Sequence, residues 1–168
     1  AAFEVRPNPA VSVPAADLAA QADFLRTVRD DLAWIHNAIR RIKDVKAQTT
    51  GLMKRAETIG KSQALKASAD TLLGKLTALA DELYNPNLKT SQDSLNYLPK
   101  LDFQFAGLAG VADTADARPT AGILARYTDL KRQLTDVTER FQQVCEAELA
   151  EFNRAVGTAG VPPIVLVP

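Results

Sequence analysis

Cysteine, histidine, methionine and tryptophan occur once each among the 168 residues, and each scarcity removes a class of chemistry. The lone Cys145 excludes an internal disulfide and any multi-thiolate metal site. The lone His36 cannot supply the two acid-x-x-His pairs of a di-iron bundle site. Nor does "DLAWIHNAIR" place an acid at His-Glu-x-x-His spacing, so His36 reads as a surface or boundary residue beside Ile35. A Ser-His-acid triad lacks a Gly-x-Ser-x-Gly elbow to carry its nucleophile. Gly107 and Gly110 in "FAGLAGV" follow no strand, so no phosphate loop is expected there. Formal charge sums to zero, which leaves no global field drawing the chain to nucleic acid or anionic lipid. No apolar run approaches the ~20 residues of a membrane span. No catalytic residue, cofactor or metal ligand is predicted.

Hydrophobic periodicity is what the chain has in quantity. After Pro14, residues Leu18, Leu25, Val28, Leu32, Ile35, Ile39 and Ile42 recur at steps of three, four or seven, the narrow seam of a helix that packs along one face. The phase then slips, with Val45, Leu52, Ala56 and Ile59 continuing one residue early. Gly51 is a point where this helix is expected to bend, Ser12 or Asp17 to cap its start, and Gly60 to end it. A second seam runs Leu65, Ala69, Leu72, Leu76, Leu79 and Leu83 until Asn85-Pro86-Asn87 stops it. A polar loop leads to a shorter helix in which Pro99 fits only the first turn. The last seam is Ile123, Tyr127, Leu130, Leu134, Val137, Phe141 and Val144, sliding to Cys145, Leu149, Phe152 and Val156 before Gly157 and Gly160. Trp34 adjoins the first seam, as core or interface.

The predicted fold is all-α, with helices over about 15–58, 62–85, 96–112 and 119–156. The second and third together match either long helix in length. An elongated up-down-up bundle of three columns with a broken second column follows, and a four-helix bundle is the alternative. Charge favours three columns. Arg40, Arg41, Lys43, Lys46, Lys54 and Arg55 face only Asp44 within their stretch, whereas Asp136, Glu139, Glu146, Glu148 and Glu151 face only Arg140 in theirs. Running the first and last helices parallel brings these stretches level. Exposed pairs contribute ~0–1 kcal/mol each, so the effect is on register.

Three further features invite a chemical reading. Glu148 and Glu151 lie three apart on one helical turn, with Glu146 to the side. A glycoside hydrolase would need such carboxylates to face another acid across a cleft about 5–10 Å wide; a solvated face is the simpler reading. Cys145, on or beside the seam, reads as a packed and unreactive thiol. The Arg40–Arg55 stretch would serve a helical adaptor for an anionic partner, yet it lacks the interleaved aromatics of a nucleic-acid site.

The start of the chain differs in kind. Phe3 and Val5 alternate with Glu4 and Arg6, a period-two strand pattern, before Pro7, Pro9 and Pro14 postpone the helix. "FEVRPNPAVSV" before the first helix, "TSQDSLNYLPKL" after the second and "GVADTADARPT" before the last together resemble the C-terminal region of large bacterial BNR-repeat, sortilin (Vps10)-like β-propeller proteins, often labelled glycosyl hydrolases. That resemblance implies a non-catalytic helical accessory domain of an exported, periplasmic or secreted protein. Residues 1–13 would then be an extended remnant of an upstream β-domain, 14–160 the bundle, and 161–168 an extended tail. Phe3, Val5, Ile164 and Leu166 are the expected interface. The expected partners are the upstream β-domain and propeller, with a second copy of the chain as a further one, and no nucleic acid or membrane span.

Overall fold

A computed structural model describes residues 12–160 together with Glu4, Arg6 and Pro9. Helix α1 (Ala15–Thr58) runs unbroken for 44 residues, about 65 Å at 1.5 Å per residue. It is followed by α2 (Ser62–Leu83), a 3₁₀ turn (Ser91–Leu95) and α3 (Leu101–Ala112). The last helix comprises α4 (Ala121–Val144), a π turn (Cys145–Leu149) and α5 (Ala150–Thr158). The described residues contain no strand, and the architecture is an all-helical bundle.

The order of the columns follows from contacts at both ends. Gln21 near the start of α1 donates to the carbonyls of Ala112, the last residue of α3, and of Ala115 in the turn beyond it, both at 2.7 Å. Lys61, just past α1, donates to the Ala159 carbonyl at the end of the last helix at 2.8 Å. In between, Phe24 meets Tyr127 and Trp34 meets Phe141, so numbers rise together along α1 and the last helix. These two run parallel, with α2 and then α3 descending beside them: up, broken down, up. Yet no Cα of α1 lies within 8 Å of a Cα of the last helix. The two long columns meet through side chains, and α2 and α3 pack closely on both.

The seam of α1 corrects the predicted one. Its buried positions are Gln21, Phe24, Val28, Asp31, Ile35, Ala38, Ile42, Val45, Thr49, Leu52 and Ala56, with Ile39 alongside. The steps alternate three and four throughout, so there is no phase slip. The apparent slip arises from following only apolar residues, because the true line passes through Gln21, Asp31 and Thr49. Leu18, Leu25 and Leu32 lie on its flank, half-buried, and Ile59 is exposed just past the helix. Gly51 sits within the uninterrupted helix. Neither Ser12 nor Asp17 caps the start: Pro14 occupies the cap position, and Asp17 pairs with Arg118 at 2.8 Å. Gly60 ends α1 as predicted. At φ +70° it lets Lys61 N–H reach the Ala56 carbonyl at 2.8 Å and its own N–H reach Glu57 at 3.0 Å, the paired bonds of a Schellman stop.

Other boundaries move for local reasons. α2 ends at Leu83 because Tyr84 is extended and Asn85 precedes a proline. The third helix starts at Leu101, not near 96. Leu98 precedes Pro99 and is disfavoured in the helical region, and Lys100 remains extended as the cap. The stretch read as plain loop holds the 3₁₀ turn, capped reciprocally by Thr90 and Asp93. Asp93 accepts from the N–H groups of Lys89 and Thr90 at 2.8 and 2.7 Å, which holds its carboxyl below the ordinary range. Thr120 caps α4 by accepting from Ile123 N–H at 3.3 Å. The sliding of the last seam has a structural cause: from Val144 the next buried position is Leu149, a stride that the π turn absorbs. Gly157 lies inside α5, and Gly160, at φ +76°, follows its end.

Candidate functional site

The expected interface residues Phe3, Val5, Ile164 and Leu166 lie outside the described residues. What the described residues offer is a polar inlay between the long helices, three surface grooves and one exposed apolar ridge.

The inlay centres on Asp31, 8% exposed on the core line of α1. Its carboxylate accepts from the Tyr127 hydroxyl at 2.8 Å and from Lys131 Nζ at 2.5 Å, both on α4. Phe24 and Phe105 stand edge-on to the Tyr127 ring at 5.5 and 6.3 Å. Burial, then the bond to Asp31, push the Tyr127 phenol up to about 12. Each carboxylate oxygen takes one donor from α4, and Asp31 lines none of the three grooves, so it joins two columns.

One groove lies between α1 and the last helix, about 360 Å³, with Trp34, Arg41, Phe141 and Cys145 among its walls. Cys145 is half-buried on the wall of this groove, and burial raises its thiol, partly offset by the charge of Arg41. A second, about 250 Å³, lies between α2 and the last helix and holds Glu148. There Glu148 is ion-paired to Lys75, Arg140 stands on the same wall, and no other carboxylate lines the groove. Glu151 is exposed, and Glu146 accepts from Gln142 at 2.8 Å. The three acids are thus not brought together.

A third groove, about 260 Å³, does hold two acids, Glu82 and Asp136, which sequence reasoning passed over. Both grip Arg140: Glu82 through two bonds of 2.8 and 2.6 Å, Asp136 at 2.7 Å. The guanidinium holds the Glu82 carboxyl below its usual range, the reverse of what a general acid requires. Asp102, whose carboxyl burial pushes up, does not line this groove.

The predicted level match of basic and acidic stretches meets a different outcome. The last helix pairs its charges with α2, through Lys75–Glu148 and Arg140–Glu82, while α1 reaches α4 through Asp31–Lys131. Nor is Arg40–Lys46 a single stripe. Lys43 lies over the Tyr84 ring at 4.4 Å and Lys46 donates to Thr77 at 2.8 Å, both toward the α2 column, while Arg41 turns into the opposite groove. His36 is exposed, and no cluster of metal-ligating side chains occurs among the described residues.

The ridge was also unforeseen. Leu95, Tyr97 and Leu98 are 86, 42 and 71% exposed, yet the chain that carries them is secured on both sides. The Thr90–Asp93 box holds one end, and Asn85 donates to the Leu98 carbonyl at 3.3 Å at the other. Leu98 and Pro99 continue it into the Glu82 groove. The signal in the sequence was the apolar spacing of "SLNYLP" between polar loop and helix, which has no helical partner to consume it. No helix is long and apolar enough to cross a membrane among the described residues. No family model, no curated protein and no solved structure matches the chain.

Proposed function

We propose that this chain is a non-catalytic helical accessory module, a spacer or docking piece, of an exported multidomain protein of the BNR-repeat or sortilin-like β-propeller type. The observation that carries the reading is the Leu95–Leu98 ridge. Three large apolar side chains are held out to solvent on a turn with its own capping bonds, while the helical seams spend their apolar faces on one another. Apolar groups held rigidly in water are the anchors of protein contact, because little order has to be imposed on them when a partner arrives. The ridge stands midway along the bundle, a different place from the terminal segments named as interface above. A rod about 65 Å long with a lateral anchor suits an element that holds a neighbouring domain at a set distance.

The test is a photo-crosslinking residue at position 95 in the full-length protein. A crosslink to another domain of the same polypeptide, lost in Leu98→Ser, is the expected result. Glycoside hydrolysis abolished by Glu148→Gln, with no crosslink, would replace this reading with an enzymatic one. Partner binding lost with salt and with Arg40→Gln would replace it with the anionic adaptor.

A further inference from the structure

We infer that the groove between α1 and the last helix is a binding site for a small carboxylate with an aromatic body. The reading is independent of the docking role. The groove has about 360 Å³, within the range of small-ligand sites, and its walls divide by chemistry. Trp34 and Phe141 form one part, edge to face at 6.4 Å between centroids, with Ala38 at the base. Arg41 forms the other. Its Nε is shut off from solvent and has no hydrogen-bond partner, the only buried side-chain nitrogen or oxygen so placed among the described residues. A buried donor without an acceptor is costly, and more so on a charged group.

The remaining polar groups favour an anion. The Asn37 side-chain oxygen is already taken by Arg40, which leaves its amide N–H groups for the groove. The Thr138 hydroxyl donates to the Leu134 carbonyl at 2.7 Å, and none of the lining residues is acidic. Of the acids beside the lining residues in sequence, Glu146 accepts from Gln142 at 2.8 Å and Asp44 from Gln48 at 2.9 Å. Arg41 thus meets no carboxylate of its own, unlike Arg140, which is gripped by two. A guanidinium edge matches a carboxylate through two parallel N–H bonds. Binding on this reading requires Arg41 to turn about its last torsions, so that Nε and one terminal nitrogen face the groove while an aryl group on the same ligand packs on Trp34 and Phe141.

Trp34 is the chain's one tryptophan, so its fluorescence reports on this groove alone. Phenylacetate is the probe, with phenylacetamide as its uncharged counterpart and acetate as the anion without a ring. Titration of the whole chain is expected to shift Trp34 emission saturably, with a Kd on the order of 0.1–1 mM for a ligand of this size. Phenylacetamide and acetate are each expected to bind roughly tenfold or more weakly. Arg41→Gln is expected to lose about tenfold, Arg41→Lys several-fold, and Lys43→Gln, on the other side of α1, less than about twofold. Absence of saturation below about 10 mM overturns the inference. So does equal binding of phenylacetate and phenylacetamide, or of phenylacetate and acetate, on the unaltered protein, which decides the matter even if Arg41→Gln fails to fold. An equal loss in Lys43→Gln and Arg41→Gln overturns it too, since a diffuse field would then explain the effect.

Discussion

In the half of the bundle nearest the start of α1 the helix contacts are inlaid with polar groups, whereas the half nearest its end is almost wholly aliphatic. The first holds Gln21, Asp31, Tyr127 and Lys131, each bonded to another column. The second is built from Leu52, Ala56, Leu65, Leu72, Leu149, Phe152 and Val156. Its one buried polar side chain, Thr49, bonds back within its own helix to the Val45 carbonyl at 2.8 Å. Aliphatic seams are alike from turn to turn and tolerate a shift along the axis, while a buried carboxylate is satisfied at one register only. The polar half therefore sets alignment, and the aliphatic half supplies cohesion.

Phe152→Ala tests the cohesive half and carries the largest expected effect. Phe152 is fully buried, so its truncation is expected to cost about 3–5 kcal/mol, read from the urea midpoint, with no change in which residues face one another. Gln21→Leu tests the aligning half. It strips a buried bond from the Ala112 carbonyl and is expected to cost about 1–3 kcal/mol. The loss should be local: amide exchange in α3 accelerates more than in α2, and uniform acceleration would erase the distinction between halves.

Asp31 offers a sharper cut. Asp31→Ala leaves the Tyr127 hydroxyl without its partner and is expected to cost about 1–3 kcal/mol. The triple change Asp31→Leu, Tyr127→Phe and Lys131→Met, which removes both donors with their acceptor and fills the seam, should lie within about 1 kcal/mol of the original in urea melts. Equal losses in both would mean that the carboxylate contributes cohesion as well as register. A further test is one of pH. Tyr127 keeps its proton in the folded chain up to about 12, above the ordinary phenol value near 10, so the unfolded chain releases it first. The stabilisation is full below about pH 10 and is lost as pH rises toward about 12. Urea midpoints are expected to fall over that window, and to fall less in Tyr127→Phe.

The contrast also explains what could be read in advance. α1 was foreseen to its end residues, since forty-odd residues of apolar recurrence stop at a glycine that adopts positive φ. The parallel first and last columns were foreseen from length and charge, although the ion pairs that form run to α2. The continuous α1 seam was not, because Asp31 resembles a solvent residue until Tyr127 and Lys131, about a hundred positions away, surround it. The acids of the Glu82 groove and the unpartnered guanidinium of Arg41 were hidden for the same reason. Each depends on a neighbour from another column.

Periodicity, proline and glycine are local, and from them alone the chain specified long helices, the stop at Gly60 and an all-α bundle. Which polar side chains are buried, which arginine is satisfied and which is not, and where an apolar ridge is left uncovered depend on distances between columns. Only packing decides those, because burial and pairing belong to the space between helices and have no period along any one of them.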